Sequence, residues 1–416
     1  MKVLVLGAGV IGVTSAWYLA RAGHEVTVLD RQPAPGMETS FANGGQISVS
    51  HAEPWANPGA PGKILRWLGR EDAPLLFRLR ADRRQWSWGL RFLLECLPHR
   101  TRRNTLTILR LALYSSAQLA QLRGETGISY DRVAKGILHI HTDMAEFKAA
   151  HARVRLMLEH GVEMSVKTAE EVLEIEPALR GPGAPRIVGG TYAAQDESGD
   201  AHLFTQRLAV LAMGCGVSFR HNAQIMGVRA EGDRVTAVEA RAGDRSERLS
   251  ADAYLVALGS YSPLLLAPIG VRVPVYPVKG YSVTIPVSRD AAAPTVCLTD
   301  ENAKIAISRL GDRLRAAGTA ELAGFDSSIN EARCNAILAR VRSWFPKAGD
   351  FARAANWAGL RPATPGNVPE IGASRLKNLF VNTGHGTLGW TLACGAGAAI
   401  ADLMTGRKPE VEFPFR

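Results

Sequence analysis

Three glycines and one aspartate near the start of the chain have the spacing of a nucleotide site. Gly7, Gly9 and Gly12 follow an apolar stretch, and Asp30 comes eighteen residues after the third glycine. In such a turn the first glycine permits a tight bend, the second lets the backbone approach a pyrophosphate, and the third lets helix and strand pack closely. The later acid holds ribose hydroxyls and repels a 2′-phosphate, which favours FAD or NAD. The pattern predicts an adenine-dinucleotide site.

The elements that must position these residues occur in the required order. Residues 3–6 have the pattern of a buried strand, residues 11–22 that of a helix, and residues 25–29 that of a second strand that ends before Asp30. The N-terminus of the helix offers free N–H groups and a partial positive charge to a pyrophosphate. The uncharged stretch 3–20 also has the composition of a signal peptide or membrane span. The glycine spacing favours a folded βαβ unit, so no signal peptide is expected.

Length and composition indicate a globular protein of two domains. The chain has 416 residues, of which 46% are hydrophobic and 21% are charged, and this length exceeds that of a single ordinary core. The five cysteines are odd in number and scattered, and they form no CxxC pair. This usage predicts reduced thiols in a cytosolic setting and argues against a disulfide framework and against zinc.

Most of the excess positive charge lies in residues 60–103. The chain carries a formal charge of +10, and this segment has eleven Lys or Arg against four Asp or Glu, an excess of seven. It also contains Trp67, Trp86 and Trp88 beside leucine and phenylalanine, which suits an anionic membrane surface. The alternative is a solvated helical face with buried tryptophans, and both interpretations stand. No nucleic-acid partner is expected, because no recognised binding motif accompanies the charge.

Further along the chain, the sequence predicts more strands and helices, some of which are expected to pair with the strands of the first thirty residues. Short strands are predicted at 217–220, 224–230, 234–240 and 253–258, the last running into Gly259. We expect them to complete the sheet that the N-terminus begins. A β-rich stretch follows at 271–319, then a helix at 329–344, a strand at 378–382, and a glycine turn that leads into a small-residue helix at 388–404.

Several of these stretches together resemble one family. They are the N-terminal turn with Asp30, SFANGGQIS (40–48), PVKGYS (277–282), GLRPATPGNVPEIG (359–372) and NTGHGTLGWTLACG (382–395). They are similar to the FAD-dependent D-amino-acid dehydrogenases, within the larger group of glycine, sarcosine and D-amino-acid oxidases. The similarity extends over the whole chain, and ANGGQIS and GHGTLGW are its more specific motifs.

The resemblance implies non-covalent FAD and the oxidation of a D-amino acid to an imino acid, which hydrolyses to a 2-oxo acid and ammonia. It implies an α/β fold with a Rossmann-like FAD-binding domain built from discontinuous segments and an antiparallel-sheet, α+β substrate-binding domain. We place the first domain at residues 1–58, 142–272 and 353–416, and the second, with the basic helical segment, at residues 59–141 and 273–352.

The resemblance also implies an electron acceptor and a location. Members of the dehydrogenase branch usually sit on the inner face of the bacterial membrane and pass electrons to quinone rather than to oxygen. A quinone or another electron-transfer acceptor is therefore the expected partner of this chain, besides the D-amino-acid substrate. We expect a peripheral position on the cytoplasmic side of the inner membrane, or a cytoplasmic one.

Amino-acid oxidation by flavin requires the protein mainly to hold the substrate carboxylate and to stabilise the reduced flavin. A forked guanidinium suits the carboxylate, and Arg361 falls where the family has its carboxylate-binding arginine. Its alternative role is a structural pair with an acid such as Glu370. Tyr281, and less so Tyr276, are candidates to assist the arginine by donating a hydroxyl, although a strand tyrosine also packs within a sheet.

The predicted cofactor-binding residues come from four parts of the chain. They are Gly7, Gly9, Val10, Gly12, Asp30 and Arg31; Ser40, Asn43, Gly44, Gly45 and Gln46; Gly259; and Gly384, Gly386, Thr387 and Leu388. The last group opens a helix whose N–H groups are expected to face the flavin's pyrimidine end, where charge accumulates on reduction. The roles of His51, Lys279 and His385 stay open.

Three alternatives to the leading function are kept. One is an oxidase or dehydrogenase of the same fold that acts on glycine, sarcosine, D-proline or D-hydroxyproline. The second is a pyridine-nucleotide dehydrogenase, which would purify without yellow colour. The third is a non-catalytic flavin-binding membrane adaptor, whose FAD would stay oxidised when D-alanine is added without oxygen.

Overall fold

The structure is a computed structural model that describes residues 1–67, 73–288 and 292–416. Ten α-helices lie within these residues. They are α1 Val10–Arg21, α2 Ala60–Trp67, α3 Arg83–Glu95, α4 Pro98–Thr126, α5 Met144–Glu159, α6 Ala169–Ile175, α7 Ala201–Gly214, α8 Ser262–Leu266, α9 Glu331–Trp344 and α10 Gly389–Met404.

Twenty strands lie in the same described ranges. They are β1 Lys2–Leu6, β2 Glu25–Leu29, β3 Gln46–Ile47, β4 Leu75–Phe77, β5 Ile137–His141, β6 Met164–Lys167, β7 Gly189–Ala193, β8 Glu197–Ser198, β9 Ser218–Arg220, β10 Gln224–Glu231, β11 Arg234–Ala242, β12 Arg245–Leu249, β13 Ala253–Val256, β14 Tyr276–Pro286, β15 Cys297–Asp300, β16 Ile305–Leu310, β17 Arg313–Leu322, β18 Ala355–Ala363, β19 Glu370–Ala373 and β20 Leu379–Thr383.

The first sheet has six strands in the order β19-β20-β13-β1-β2-β9. All neighbours are parallel except β19, which pairs antiparallel with β20 at one edge. The central strands β1 and β13 are almost entirely buried, which explains their continuous apolar runs, because helices cover both faces of a parallel sheet. Its strands come from distant parts of the chain, so the predicted Rossmann-like domain of discontinuous segments is confirmed.

Small residues let α10 pack closely between two other helices. An added Cβ on Gly395 would lie 2.8 Å from Ser115 of α4, and one on Gly397 would lie 2.9 Å from the carbonyl carbon of Thr14 in α1. Larger residues at these positions would push the helices apart. The window Gly386–Met404 has the length and hydropathy of a membrane span, but 78% of it is buried inside the fold. Close packing therefore accounts for the apolar composition of α10.

The second large sheet has nine strands. Its order is β18-β14-β17-β16-β15-β5-β7-β6, and β4 pairs with β17 beside this path. Most pairs are antiparallel, whereas β5 with β15 and β4 with β17 are parallel. Helix α9 packs on β14 and β17 and buries Cys334, Ile337, Val341 and Trp344 in the core on that side of the sheet.

Some strands join a different sheet from the one predicted. β10, β11 and β12 form a separate three-stranded sheet instead of extending the first one. Strands β6, β7 and β18 pair within the nine-stranded sheet, although the predicted boundaries place residues 142–272 and 353–416 with the nucleotide-binding domain. The sequence pattern of a strand shows its faces but does not show its pairing partner, so these pairings correct the assignment.

The basic segment forms α2, α3, the start of α4 and the short strand β4. Its members Arg70, Glu71 and Asp72 lie outside the described residues. One side of α3 is buried, including Trp88 and Phe92. The other side is apolar yet exposed, and we call it the α3 face; it consists of Trp86, Leu90, Leu93 and Leu94, with Leu97 just beyond the helix.

Candidate active site

A cavity of about 1040 Å³ is lined by residues of both large sheets. Gly7 and Asp30 lie on its wall from the first sheet, and Gly280 and Arg361 lie on its wall from the second. The predicted site residues on its lining are Gly7, Gly9, Val10, Asp30, Arg31, Ser40, Asn43, Gly44, Gly45, Gln46, Gly259, Tyr281, Arg361, Gly386, Thr387 and Leu388. Gly12, Gly384 and Tyr276 lie behind the lining.

The glycine turn after β1 is as tight as its spacing predicts. Gly7 has a φ of +110°, and an added Cβ would lie 2.6 Å from the carbonyl oxygen of Ala257. A Cβ on Gly12 would lie 1.9 Å from the carbonyl oxygen of Gly7, so Gly12 lets α1 pack against the turn. At the N-terminus of α1, the Val10 N–H donates to the Ser40 hydroxyl at 3.0 Å. Ser40 therefore caps the first helix.

Asp30 holds the turn in place from the end of β2. Its carboxylate accepts hydrogen bonds from the N–H groups of Ala8 at 2.6 Å and Gln32 at 2.8 Å. Burial raises the pKa of Asp30, although these two hydrogen bonds oppose that effect. The next residue, Arg31, donates to Glu38 at 2.6 Å, and its guanidinium carbon lies 4.1 Å from the ring centroid of Tyr261. Asp30 and Arg31 thus form one firmly held end of the cavity.

The loop at residues 40–48 is fixed between the two large sheets. Ser282 of β14 donates to the Ala42 carbonyl at 2.7 Å, and Ser308 of β16 donates to the Gly44 carbonyl at 2.6 Å. Further contacts are Gly45 N–H to Asn43 Oδ1 at 2.9 Å and Gln46 Nε2 to Thr299 Oγ1 at 2.9 Å. These bonds hold bare loop backbone against the middle of the cavity.

The turn before α10 closes another part of the cavity. His385 is buried, and neither ring nitrogen has a hydrogen-bond partner within the described part of the chain. Burial lowers the pKa of His385 to about 3, so its ring is neutral at pH 7. Gly384 packs behind the turn, where an added Cβ would lie 2.7 Å from Thr364. The residues that follow, Gly386 to Leu388, line the cavity at the helix N-terminus.

These features fit the expected FAD. The turn that contains Gly7, Gly9 and Gly12 leaves room for a pyrophosphate at a helix N-terminus, and Asp30 lies where an acid holds ribose hydroxyls. The unpartnered ring of His385 and the N-terminus of α10 offer polar groups to a second part of the ligand. The first group would hold the ADP half, and the second group would hold the flavin half.

Arg361 of β18 brings an unneutralised cation to the cavity. Its Nη1 donates to the Thr319 carbonyl at 2.9 Å, and its guanidinium carbon lies 5.8 Å from the ring centroid of Trp55. No carboxylate lies within ion-pair distance of it among the described residues, and Glu370 pairs with Arg416 at 3.1 Å instead. Burial lowers the pKa of Arg361 to about 10, which still leaves it charged at pH 7. The geometry suits the binding of an anion.

The guanidinium of Arg361 lies directly across a glycine. An added Cβ on Gly280, in the PVKGYS stretch of β14, would lie 2.2 Å from the guanidinium carbon of Arg361. The two residues are on neighbouring strands, where Val278 is paired with Arg361 and Gly280 with Gly359. Gly280 therefore provides the space in which the arginine faces the cavity, a role that no sequence motif indicated.

Neither tyrosine assists Arg361 in this structure. Tyr281 borders the cavity, but its hydroxyl donates to Glu321, and the guanidinium of Arg333 lies 5.5 Å from its ring centroid. Tyr276 lies away from the cavity, and its hydroxyl donates to Asp82 at 3.3 Å. Side chains alternate between the faces of a strand, so Tyr281 is on the opposite face of β14 from Gly280. Alternation does not separate Tyr276 from Gly280, but the Tyr276 hydroxyl is bonded to Asp82. The expected hydroxyl donation to the arginine is thus not observed.

Lys279 is likewise part of the packing and not of the cavity. Its side chain is buried, and its Nζ lies 3.0 Å from Asp326 and 3.6 Å from Glu321. A buried lysine with two carboxylates is fully neutralised, so it offers no charge to a ligand.

A second polar group on the lining was not predicted from the sequence. It consists of Arg153, Glu301 and Lys304, and it lies beside His51. These side chains come from α5, from the loop after β15 and from the loop after β3, so no local motif unites them. One sequence signal could have indicated this group. Asp300 ends β15 and Glu301 follows it, and functional side chains often lie in the loop after a strand.

The family model described as "DAO: FAD dependent oxidoreductase" matches residues 2–403 of the chain. The D-amino acid dehydrogenase of Dechloromonas aromatica (strain RCB) is 56% identical over 416 residues, covering 100% of this chain and 99% of that protein. The D-amino acid dehydrogenase of Paramagnetospirillum magneticum (strain ATCC 700264 / AMB-1) is 55% identical over 414 residues, covering 99% and 97%.

Solved structures show the same fold. Glycine oxidase from Geobacillus kaustophilus has a TM-score of 0.76 at 22% identity, covering 99% of this chain and 96% of that chain. L-proline dehydrogenase from P. horikoshii also has a TM-score of 0.76, at 18% identity, covering 99% and 94%. At such identities the likeness concerns the fold alone.

Proposed function

This chain belongs to the family of FAD-dependent oxidoreductases, and we propose that it oxidises D-amino acids to imino acids, which hydrolyse to 2-oxo acids and ammonia. The name of the two curated relatives, D-amino acid dehydrogenase, supports the substrate class. Bound FAD supplies the hydride acceptor. The side chains of the protein hold the substrate and exclude water from it.

The observation that carries this proposal is the environment of Arg361. Arg361 is half-buried, and a partly desolvated cation without a carboxylate partner in the described structure is stabilised when a ligand supplies the anion. A guanidinium binds a carboxylate through two parallel hydrogen bonds, and Nη1 of Arg361 is already oriented by the carbonyl of Thr319. The carboxylate of an amino acid bound there would lie in the same cavity as the residues that fit FAD.

The cavity lining favours apolar side chains in the substrate. It includes Trp55, Ile64, Leu75, Phe77, Trp88 and Phe92, which pack in one apolar cluster, and the ring of Trp55 lies 5.8 Å from the guanidinium carbon of Arg361. Burial of apolar surface against such residues favours apolar substrates, which is why we propose substrates like D-alanine. Glycine, sarcosine, D-proline and D-hydroxyproline share the carboxylate, so a comparison of these amines decides between the two specificities.

We further propose that the electrons pass to a quinone at a membrane surface, with the protein bound peripherally on the cytoplasmic side of the inner membrane. The α3 face supports this proposal, because Trp86 and Leu90 are 58% and 64% exposed and have exposed arginines such as Arg84 and Arg91 around them. Apolar residues amid basic ones suit an anionic lipid surface. On its buried side α3 contributes Trp88 to the cavity lining, so one helix borders both the cavity and the proposed lipid surface.

Product analysis with two electron acceptors tests the function. The purified, FAD-loaded protein is incubated with D-alanine, L-alanine, glycine, sarcosine or D-proline, and with either oxygen or a soluble quinone analogue. We expect pyruvate and ammonia from D-alanine with the quinone, and little oxygen consumption. Equal turnover with oxygen would contradict the proposed acceptor, and absence of product from every D-amino acid would overturn the function.

A further inference from the structure

The loop at residues 40–48 connects the two helix N-termini that border the cavity. At one end, Ser40 accepts a hydrogen bond from the Val10 N–H of α1 at 3.0 Å. At the other end, the Ser48 N–H donates to the Thr391 hydroxyl in the first turn of α10 at 3.1 Å. The middle of the loop therefore lies between the turn that would hold the ADP half of FAD and the turn that would hold the flavin half.

Three successive carbonyl groups in the middle of this loop accept hydrogen bonds from neighbouring strands of the nine-stranded sheet. The donors and the carbonyls that they bind are Ser282 to Ala42 at 2.7 Å, Arg315 to Asn43 at 3.2 Å and Ser308 to Gly44 at 2.6 Å. The strand of Arg315, β17, pairs with β14 on one side and β16 on the other. The loop is thus held by one cation that lies between two hydroxyl groups.

Arg315 lies on the face of β17 that borders the cavity. Side chains alternate between the faces of a strand, so Arg315 and Ala317 share one face with their Cα atoms about 7 Å apart. Ala317 is on the cavity lining, as are Asn43 and Gly44 of the loop. An added Cβ on Gly44 would lie 3.5 Å from the Cβ of Ala317, so the loop packs on this face. Loop backbone therefore separates the guanidinium of Arg315 from the cavity.

Arg315 is a buried cation without a carboxylate partner. Its side chain is only 5% exposed, and no carboxylate of the described residues lies within ion-pair distance of it. Its Nε has no hydrogen-bond partner in the same part of the chain. Burial lowers the pKa of Arg315 to about 10, so the guanidinium keeps its charge at neutral pH. A charge surrounded by protein atoms acts over a longer distance than one in water, because it is less screened.

The charged residues that influence Arg315 most are Asp200 and Arg313. Asp200 raises the pKa of Arg315, whereas Arg313 lowers it. These two residues are already paired with each other at 3.0 Å, and Arg313 also pairs with Asp131 at 2.9 Å. Asp200 is therefore engaged by another arginine. Loss of the charge on Arg315 would make this side of the cavity one unit more negative.

We propose that Arg315 raises the reduction potential of the bound flavin by placing a positive charge behind the backbone of residues 42–44. When the Cα–H bond of a neutral substrate amine breaks, its hydrogen and both bonding electrons pass to the cofactor, and the substrate becomes an iminium. The cofactor thereby gains one negative charge, and a fixed cation nearby stabilises that charge. This inference rests on the bound FAD of the proposed function. Arg315 acts through the loop, so it is a positioning residue.

A redox titration of the flavin tests this role without any amino acid. The midpoint potentials of the unsubstituted protein, Arg315→Met and Arg315→Lys are measured at neutral pH against a reference dye. Arg315→Met should make two-electron reduction about tenfold less favourable, which moves the midpoint potential by about 30 mV to more negative values. Arg315→Lys should keep most of the original potential, because it retains the charge. The shift in Arg315→Met should persist at about 1 M salt, since salt screens buried charges little.

The control is Arg342→Met, which removes an exposed charge from α9 and should leave the potential unchanged. Flavin content and melting temperature show whether each variant is folded with FAD bound. If Arg315→Met loses FAD, Arg315→Gln replaces it with the same expected shift, because glutamine keeps an N–H for the Asn43 carbonyl. An unchanged potential after loss of the charge, or an equal fall in Arg315→Lys, would overturn the inference. An unsubstituted protein that binds no FAD would contradict the proposed function instead.

Discussion

At the residue scale, Arg361 is expected to carry the recognition of substrate. Arg361→Ala should lower kcat/KM for D-alanine by about 100-fold, which corresponds to about 2.7 kcal/mol, because the substrate carboxylate loses its cation. Arg361→Lys should recover only part of this loss, since an ammonium lacks the planar fork. Steady-state kinetics measure both, and flavin absorbance should show FAD still bound.

The matched control is Arg342→Ala, which removes an exposed arginine of α9 whose guanidinium lies over Phe351. It should leave kcat/KM unchanged. Kinetics of Arg361→Ala that equal those of the control would remove Arg361 from the substrate site.

Residue types alone predicted the parts of the site that have local motifs. Gly7, Gly9 and Asp30 follow from the needs of a nucleotide turn, and Arg361 follows from a motif in a resembling family. Glu301 and His51 come together only when distant segments fold, so spacing could not reveal them. The expected role of the tyrosines was not found, because the hydroxyls of Tyr281 and Tyr276 bond to Glu321 and Asp82, and a strand pattern does not reveal such partners from other elements.

At the element scale, the pairing of β14 with β18 sets the position of Arg361. Gly280→Ala should lower kcat/KM for D-alanine severalfold or more, because the new Cβ would lie 2.2 Å from the guanidinium carbon and displace it. The obstacle is the far end of a flexible side chain, so the fold and FAD binding should persist. Kinetics, flavin content and the melting temperature together measure these expectations.

Gly124→Ala is the matched glycine control, because an added Cβ in this helix would meet nothing within 4 Å. It should leave kinetics unchanged and stabilise the protein by about 0.5–1 kcal/mol, since alanine loses less backbone entropy than glycine. Full activity in Gly280→Ala would show that the glycine does not govern the arginine.

Three of the longer helices were predicted well. Those expected at residues 11–22, 329–344 and 388–404 are α1, α9 and α10, with ends that agree to within two residues. The strands β4 and β12 were missed, because β4 has three residues and depends on its neighbour β17, and because β12 is largely exposed and lacks an apolar face. Short strands take their structure from tertiary pairing and not from local sequence.

At the scale of the whole molecule, buried neutral histidines should make the protein sensitive to acid. Burial lowers the pKa of His385 to about 3 and that of His141 to about 4. The unfolded chain, with histidine pKa values near 6.5, binds more protons below that pH, so folding stability falls as the pH drops from about 6.5 toward about 4. Each histidine contributes a loss of up to about 1.36 kcal/mol per pH unit.

Melting temperatures measured at about pH 7 and about pH 5, on either side of the histidine titration, test this expectation. His141→Asn should lose less stability over that interval, because it has no imidazole to protonate at that position. A melting temperature that is equal at the two pH values would show that these histidines are not held neutral by the fold.

The α3 face is the surface through which we propose that the whole molecule binds to a membrane. Vesicles with anionic lipids should sediment the protein, and binding should weaken as salt screens the arginines. Leu90→Glu with Leu94→Glu should abolish sedimentation, whereas Leu158→Glu, at an exposed leucine of α5, should not. Equal binding to uncharged vesicles, or no effect of the double substitution, would contradict a role of this face at membranes.

The fold class could be predicted from the sequence, but not all of the domain boundaries could. The N-terminal βαβ unit and the fold class followed from glycine spacing and the resemblance. The sheet that β6, β7 and β18 join could not be predicted. The chain crosses between the two large sheets, and strand patterns do not identify pairing partners. The cavity between these sheets is therefore a property of the assembled fold.

The most direct test of the proposed function is the colour of the bound flavin without oxygen. The purified protein should be yellow, and addition of D-alanine should bleach it, while L-alanine should leave it oxidised. Arg361→Ala should be equally yellow and should need far more D-alanine to bleach. Flavin that stays oxidised with every D-amino acid, or that is reduced as readily by L-alanine, would contradict the account.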